Sequence, residues 1–443
     1  MALKGLDIFK YTPKTNCKEC GSATCMAFAM KVAQGGVTLD KCTHMSPEAL
    51  EKLGEATAPP MKTIKIGADK AEFSLGGETV LFRHEKTFVS KNLFAVGVCP
   101  DCVDKALSDA TQVDYERIKE RMYVELISVA YTGNKDAFLD AVKKSQAVGR
   151  TLILDVQDPD AAKAALELTK AGKPLLNGAN ASNYEAMSKL ATEAGVVLGV
   201  SGTDLDSIYD TVQKLEALGN KNLVIDVGTA SVKDAFANTV QIRRAALKDA
   251  DRSFGYPTIV NVAKLAPKDS AMQVALASLF TLKYGSIVVM SGMTYAQALP
   301  LYGLRQNIYT DPQKPMKMEP GIYKVNGADE NSLCATTVDF ALSYFVINGE
   351  LERSGVPVNL IISDAGGYSV LTAWAAGKLS AGSIAKFFKD KGIEGQVKNR
   401  NLLIPGKVAV LKGELEENLP GWKIIVGPNE AVGVVKFLKE FKG

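Results

Sequence analysis

Histidine is nearly missing from this chain of 443 residues, which has two, His44 and His84, against seven cysteines. Imidazole-built metal sites are therefore excluded beyond the first hundred residues, and any metal chemistry leans on thiolates. Charge of one sign is missing too. Lys and Arg number 52 against 49 Asp and Glu, and a net charge of +3 supplies no broad basic field for nucleic acid or an anionic membrane. No run of about 18 apolar residues occurs, and the longest runs, such as 286–290, have the length of buried strands. Nor is a secretory leader visible, because the opening MALKGLDIFKYTPKTNCKEC is punctuated by charge. The expectation is a soluble cytoplasmic protein, in which clustered thiols bind metal or do redox work more often than they form structural disulfides.

What is present falls into three compositions. Residues 1–60 hold four of the seven cysteines and end in the breaker Ala58-Pro59-Pro60. From 61 to 319, short Val- and Ile-rich runs alternate with segments of helical period. Candidate strands are 63–66, 94–98, 124–129, 151–156, 174–177, 196–200, 222–227, 258–262 and 286–290. About eight such repeats match a (β/α)8 barrel better than a doubly wound sheet. Several candidate strands end in polar or glycine turns, with Asp155, Asn177 and Asp226 among them. The tract DPQKPMKMEPG at 311–321 cannot continue a helix and reads as a linker or hinge. Residues 320–443 then repeat strand and helix, with strands at 332–336, 358–363, 401–404 and 422–426, as in a small doubly wound, flavodoxin-like α/β domain.

Cys17, Cys20, Cys25 and Cys42 follow the spacing C-x2-C-x4-C-x16-C. Four thiolates satisfy an iron–sulfur cubane, one per iron, and the small residues Gly21, Ser22 and Ala23 let backbone amides approach the sulfurs. Structural zinc is the rival, but it commonly takes two CxxC pairs, which the x4 gap fits poorly. His44 reads as a surface side chain. Cys99-Pro100-Asp101-Cys102 follows a candidate strand; it is either a redox pair at a helix start or two small side chains at a barrel strand end. Cys334, inside an apolar strand, reads as core.

The segment KTNCKECGSATCMAFAMKVAQG, followed by Cys42, resembles the large (gamma) subunit of the corrinoid iron–sulfur protein of the anaerobic acetyl-CoA pathway, a component of acetyl-CoA decarbonylase/synthase complexes. The likeness runs in order through all three segments, although barrel and small α/β domain alone would be weak evidence. It implies a 4Fe-4S cluster on Cys17, Cys20, Cys25 and Cys42, and a cobalamin on the C-terminal domain. It also implies a methyl carrier, with cobalt cycling between Co(I) and methyl-Co(III). Methyl would arrive from methyltetrahydrofolate through a separate methyltransferase and leave for acetyl-CoA synthase, while the cluster returns stray Co(II) to Co(I). The expected partners are a small subunit forming a heterodimer, the methyltransferase and the synthase, with neither nucleic acid nor membrane. No catalytic acid or base is expected on this chain.

The C-terminal third has no histidine, so a corrinoid there receives no imidazole from it, and the missing nitrogen donor makes Co(I) easier to reach. Ligands of parallel sheets bind at the carboxyl ends of the strands. The candidate contacts are accordingly Thr336 and Thr337 after the first strand and Asp364, Gly366, Gly367, Tyr368 and Ser369 after the second, with Thr372 on the helix that follows. Pro405 and Gly406 come after the third strand, and Gly427, Pro428, Asn429, Glu430 and Ala431 after the fourth. Two other functions fit the same residues: an iron–sulfur electron carrier binding flavin in the last domain, and a barrel methyltransferase acting on a pterin through Asp155, Asn177 and Asp226.

Overall fold

The computed structural model describes residues 5–33, 37–57, 60–228, 230–311 and 316–441. Ala58 and Pro59 of the breaker, Thr229, and 312–315 of the expected linker lie outside them. The chain divides into two units, Met1–Tyr309 and Thr310–Gly443.

The first unit opens on three helices, Gly5–Phe9, Cys25–Ala33 and Pro47–Thr57. Cys25, Phe28, Ala29 and Val32 recur at helical spacing and are buried, the last three forming a small core with Ile8, Leu39, Met45 and Leu53. The antiparallel hairpin β1 (Thr63–Ile66) and β2 (Phe73–Gly76) comes next.

Eight parallel strands then close a barrel. They are β3 (Leu93–Val98), β6 (Leu126–Ala130), β7 (Thr151–Asp155), β8 (Leu175–Ala179), β9 (Val197–Val200), β10 (Leu223–Asp226), β11 (Thr258–Asn261) and β12 (Ile287–Met290). The short hairpin β4 (Asp114–Arg117) and β5 (Glu120–Tyr123) interrupts the series. These strands are buried on both faces, which is why they read as continuous apolar runs rather than alternating ones.

The first candidate strand, 63–66, is a strand but not a stave of the barrel. The Gly67 N–H donates to Lys173 O and the Lys62 N–H to Gly255 O, just ahead of β8 and β11, while Ile66 and Leu75 are fully buried in the barrel core. The β1–β2 hairpin thus plugs the amino end of the barrel. At the other end, short turns lead into helices whose first N–H groups bond to Asp158, Asp204 and Ser231. These caps hold the strand-end side chains around one mouth.

The second unit is a five-stranded sheet in the order β13-β15-β14-β16-β17. Its strands are β13 (Gly321–Val325), β14 (Leu333–Val338), β15 (Val358–Ser363), β16 (Asn401–Ile404) and β17 (Lys423–Val426). Separate apolar cores cover its two faces, one around Ile361, Phe388 and Trp422 and the other around Leu360, Leu351 and Leu438. The expected four strands are joined by β13, an antiparallel edge. The tract ahead of it is partly pinned to this unit, because Lys317 bridges to Phe340 and the Ala341 N–H donates to Met316 O.

Candidate functional sites

Cys17, Cys20, Cys25 and Cys42 are all free of disulfides, running from exposed Cys17 to buried Cys25 and Cys42. The loop ahead of the second helix turns through the left-handed region at Lys14, Asn16, Lys18 and Gly21. Each non-glycine there costs about 1 kcal/mol or more. Such alternation of hand is what forms N–H-lined concavities at iron–sulfur sites. Asn16 fastens the loop, its Oδ1 accepting the Cys25 N–H at 2.8 Å. Thr24 caps the helix by accepting the Ala27 N–H at 3.0 Å. His44 is exposed and paired with Glu19 at 2.9 Å, and these two groups lie within 4.8 Å of each other and of the Cys17 sulfur. Two free thiols on a loop of this kind, a third at the start of the helix it leads into and a fourth at Cys42 suit a soft-metal cluster.

In the second unit the strand order reverses between β14 and β16, where an open α/β sheet forms its ligand crevice. A cavity of about 340 Å³ lies there. Thr336 and Thr337 line it from within β14, near its carboxyl end, rather than from the loop after it. Ser369, Pro405, and Gly427 through Ala431 also line it. Thr337 is buried and its hydroxyl has no partner. Two of the strand-end loops are bridged by Lys407 and Glu430 at 2.9 Å. Gly406 fits under the neighbouring loop, since a Cβ there would stand 2.4 Å from Gly427 O.

Other expected contacts stand beside the cavity rather than on its wall. Gly366 and Gly367 are both left-handed, and carboxylates take their N–H groups. Gly366 donates to Asp364 at 3.1 Å and Gly367 to Asp339 at 2.9 Å. Asp339, 1% exposed, also accepts the Ala365 N–H. Tyr368 is exposed, and Thr372 shares a hydrogen bond with Ser369 at 2.9 Å.

The family model described as "CO dehydrogenase/acetyl-CoA synthase delta subunit" matches residues 63–438, and one described as "Putative Fe-S cluster" matches 13–44. Along 99% of both chains, the protein is 39% identical to the "Corrinoid/iron-sulfur protein large subunit" of Moorella thermoacetica. It is 32% identical to the "Acetyl-CoA decarbonylase/synthase complex subunit gamma" of Methanothermobacter thermautotrophicus, again over 99% of both. The gamma subunit of Archaeoglobus fulgidus is 31% identical over 98% of this chain and 97% of its own.

The chain belongs to the corrinoid/iron–sulfur protein large-subunit family.

For a member of that family, the residues that sequence reasoning passed over are the apolar ones. Leu342 and Val346, one helical turn apart on the helix Ala341–Ser354, line the crevice and are exposed, and so is Leu371. Phe345 is exposed as well. Exposed apolar residues at i and i+4 were the available signal. Nothing in the sequence shows that the partners of the strand-end carboxylate Asp339 are the Ala365 and Gly367 backbone amides. A corrin ring fits this crevice on the structure's own terms: an apolar wall, an unpaired hydroxyl, and no imidazole available from the unit.

Cys99 and Cys102 are paired as a disulfide with Cα atoms 5.3 Å apart, and Cys102 immediately precedes the helix Val103–Gln112. Cys334 is fully buried, and burial pushes its thiol up to about 11. No helix among the described residues is long and apolar enough to cross a membrane.

Proposed function

We propose that this chain is the methyl-carrying subunit of an acetyl-CoA-forming system, with a 4Fe-4S cluster on Cys17, Cys20, Cys25 and Cys42 and a corrinoid over the crevice of the second unit. The observation that carries the reading is that crevice: a switch-point cavity walled by apolar side chains, with the Thr337 hydroxyl unpaired, in a unit without histidine. Bound there, the corrinoid would supply a cobalt that accepts methyl from methyltetrahydrofolate by way of a methyltransferase and yields it to acetyl-CoA synthase, with the cluster as its reducing partner.

The protein's own part is placement. Thr337 offers the ligand a hydroxyl. Pro405, Gly406 and the 427–431 loop bring backbone close to it, and Asp339 holds the Gly366–Gly367 turn in shape. With no histidine in residues 310–443, this unit would offer the metal no imidazole. Leu342, Val346 and Leu371 are exposed, so this apolar wall would need a cover, which the small subunit of the heterodimer would supply. Serving a methyltransferase and a synthase in turn requires the second unit to move, and 311–321 is the hinge. The work belongs in the cytoplasm.

The test is methyl transfer. Anaerobic chain with its small subunit, a reductant, methyltransferase and labelled methyltetrahydrofolate should acquire label on its corrinoid and lose it to acetyl-CoA synthase. Label that never leaves the folate, or a chain carrying flavin instead of cobalt, contradicts the proposal.

A further inference from the structure

Two of the seven cysteines have no part in carrying methyl. Cys99 and Cys102 flank Pro100 and Asp101 just past β3, where the chain turns into the ten-residue helix Val103–Gln112. Both are partly exposed. Cys334, by contrast, is fully buried with its thiol pushed up to about 11, and the remaining four cysteines belong to the amino-terminal module.

A disulfide in this place makes a weak staple. Cross-links stabilise by removing freedom from the unfolded chain, and the gain grows with the length of the loop they close. This one encloses only Pro100 and Asp101. Its turn is held without it, because the Cys102 N–H donates to Cys99 O at 3.0 Å and Pro100 stands at the second turn position, where the fixed φ of proline fits. The Ala106 N–H then donates to Cys102 O at 3.0 Å as the helix begins. Strand, turn and helix thus keep the two Cα atoms 5.3 Å apart, within bridging range, whether or not the sulfurs are joined. Opening and closing the bond requires no rearrangement of the backbone.

The two sulfurs are not equivalent. The Cys99 N–H donates to Cys102 Sγ at 2.9 Å, and Cys102 immediately precedes the helix, at its positive end. Both features favour negative charge on Cys102 over Cys99. Of the carboxylates beside them in sequence, Asp104 is paired with Lys144 at 3.0 Å, and Asp101 is exposed to screening by solvent. An attacking thiolate therefore has the better leaving group when it strikes Cys99.

The geometry points to a reversible thiol–disulfide exchange site at Cys99 and Cys102, which accepts two electrons from a dithiol, with Cys99 as the sulfur attacked and Cys102 as the leaving thiolate. One thiolate of the dithiol bonds to Cys99 Sγ as the Cys99–Cys102 bond breaks. The second thiolate then displaces Cys99 and closes the disulfide of the reductant. Cys99 and Cys102 take up the two protons that the dithiol gave up, so two electrons and two protons pass to the chain. This redox centre does not depend on the carrier reading of the other unit.

Anaerobically purified full-length chain, equilibrated at pH 7 with ratios of reduced to oxidised dithiothreitol spanning several decades, tests it. After an acid quench, free thiols are labelled and read by peptide mass spectrometry. Cys99 and Cys102 should become free together, their reduced-to-oxidised ratio rising tenfold for each tenfold rise in the dithiothreitol ratio. A pair that stays joined until urea is added, or cysteines labelled one without the other, overturns the proposal. The direction is read from single variants. Iodoacetamide at pH 7 should modify Cys102 in Cys99→Ser at least about tenfold faster than Cys99 in Cys102→Ser. Should either variant fail to fold, the oxidised parent treated briefly with 2-mercaptoethanol and quenched with acid answers instead, with the adduct expected on Cys99. Equal rates, a faster Cys99, or an adduct on Cys102 overturns the assignment of the two sulfurs.

Discussion

Among the seven cysteines, side-chain surroundings separate very different chemistries. Cys334 has Sγ only 3.8 Å from Asn399 O and 3.9 Å from Ser332 O, in a core that holds the proton on sulfur. Its pKa is raised above the ordinary 9.0, so the stability gained is full below pH 9 and is lost as pH climbs through about 11. Iodoacetamide at pH 8 should therefore leave Cys334 unmodified in the folded chain and label it in urea, as read by peptide mass spectrometry. Asp339 is the other decisive single residue. Asp339→Ala strands the Ala365 and Gly367 N–H groups in a buried turn, and it should cost roughly 2–4 kcal/mol in urea unfolding of the second unit. Corrinoid content is expected to fall with it. Asp339→Asn, which keeps an acceptor, should recover part of both. Sequence alone could propose Cys17, Cys20, Cys25 and Cys42, because a ligand motif is local; it could not single out Asp339, whose partners are amides 26 and 28 positions away.

Strands and turns show where local pattern is and is not enough. The eight barrel strands were legible because both faces are buried, giving apolar runs bounded by turns. The first candidate, TIKI, differs in alternating exposed Thr63 and Lys65 with buried Ile64 and Ile66, the pattern of a half-buried strand, and its flanking hydrogen bonds to Lys173 and Gly255 make it a plug rather than a stave. The β4–β5 hairpin was missed because its two-residue turn is Ile118-Lys119, both left-handed, where such turns ordinarily carry Asn or Gly. At this scale two substitutions are informative. Gly406→Ala forces a methyl against Gly427 O and Pro428, so the β16 and β17 loops should separate, and cobalt content should drop severalfold while circular dichroism stays unchanged. In the barrel, buried Arg305 bonds Glu125 at 2.6 Å, and Glu125 accepts the Phe94 N–H at the start of β3. Arg305→Leu leaves that carboxylate unpaired and should destabilise the first unit by about 3–5 kcal/mol in thermal or urea unfolding. The double variant with Glu125→Gln should recover much of it.

The whole molecule pairs a thiol-bearing module and barrel in one unit with a doubly wound sheet in another. Each unit has its own apolar cores, so calorimetry should resolve two unfolding transitions, with Asp339→Ala moving one and Arg305→Leu the other. The order of the segments was readable because composition changes at each one. The crevice was readable only in part: loop residues at strand ends follow from topology, but the apolar wall from the helix Ala341–Ser354 depends on which face that helix turns outward. The central claim is that one chain holds an iron–sulfur cluster and a corrinoid. Metal analysis of anaerobically purified chain with its small subunit, together with visible spectra before and after reduction, tests this most directly. The account predicts about four iron and one cobalt for each heterodimer, with iron lost in Cys17→Ser or Cys42→Ser and cobalt retained. Zinc in place of iron, or protein without cobalt, would contradict it.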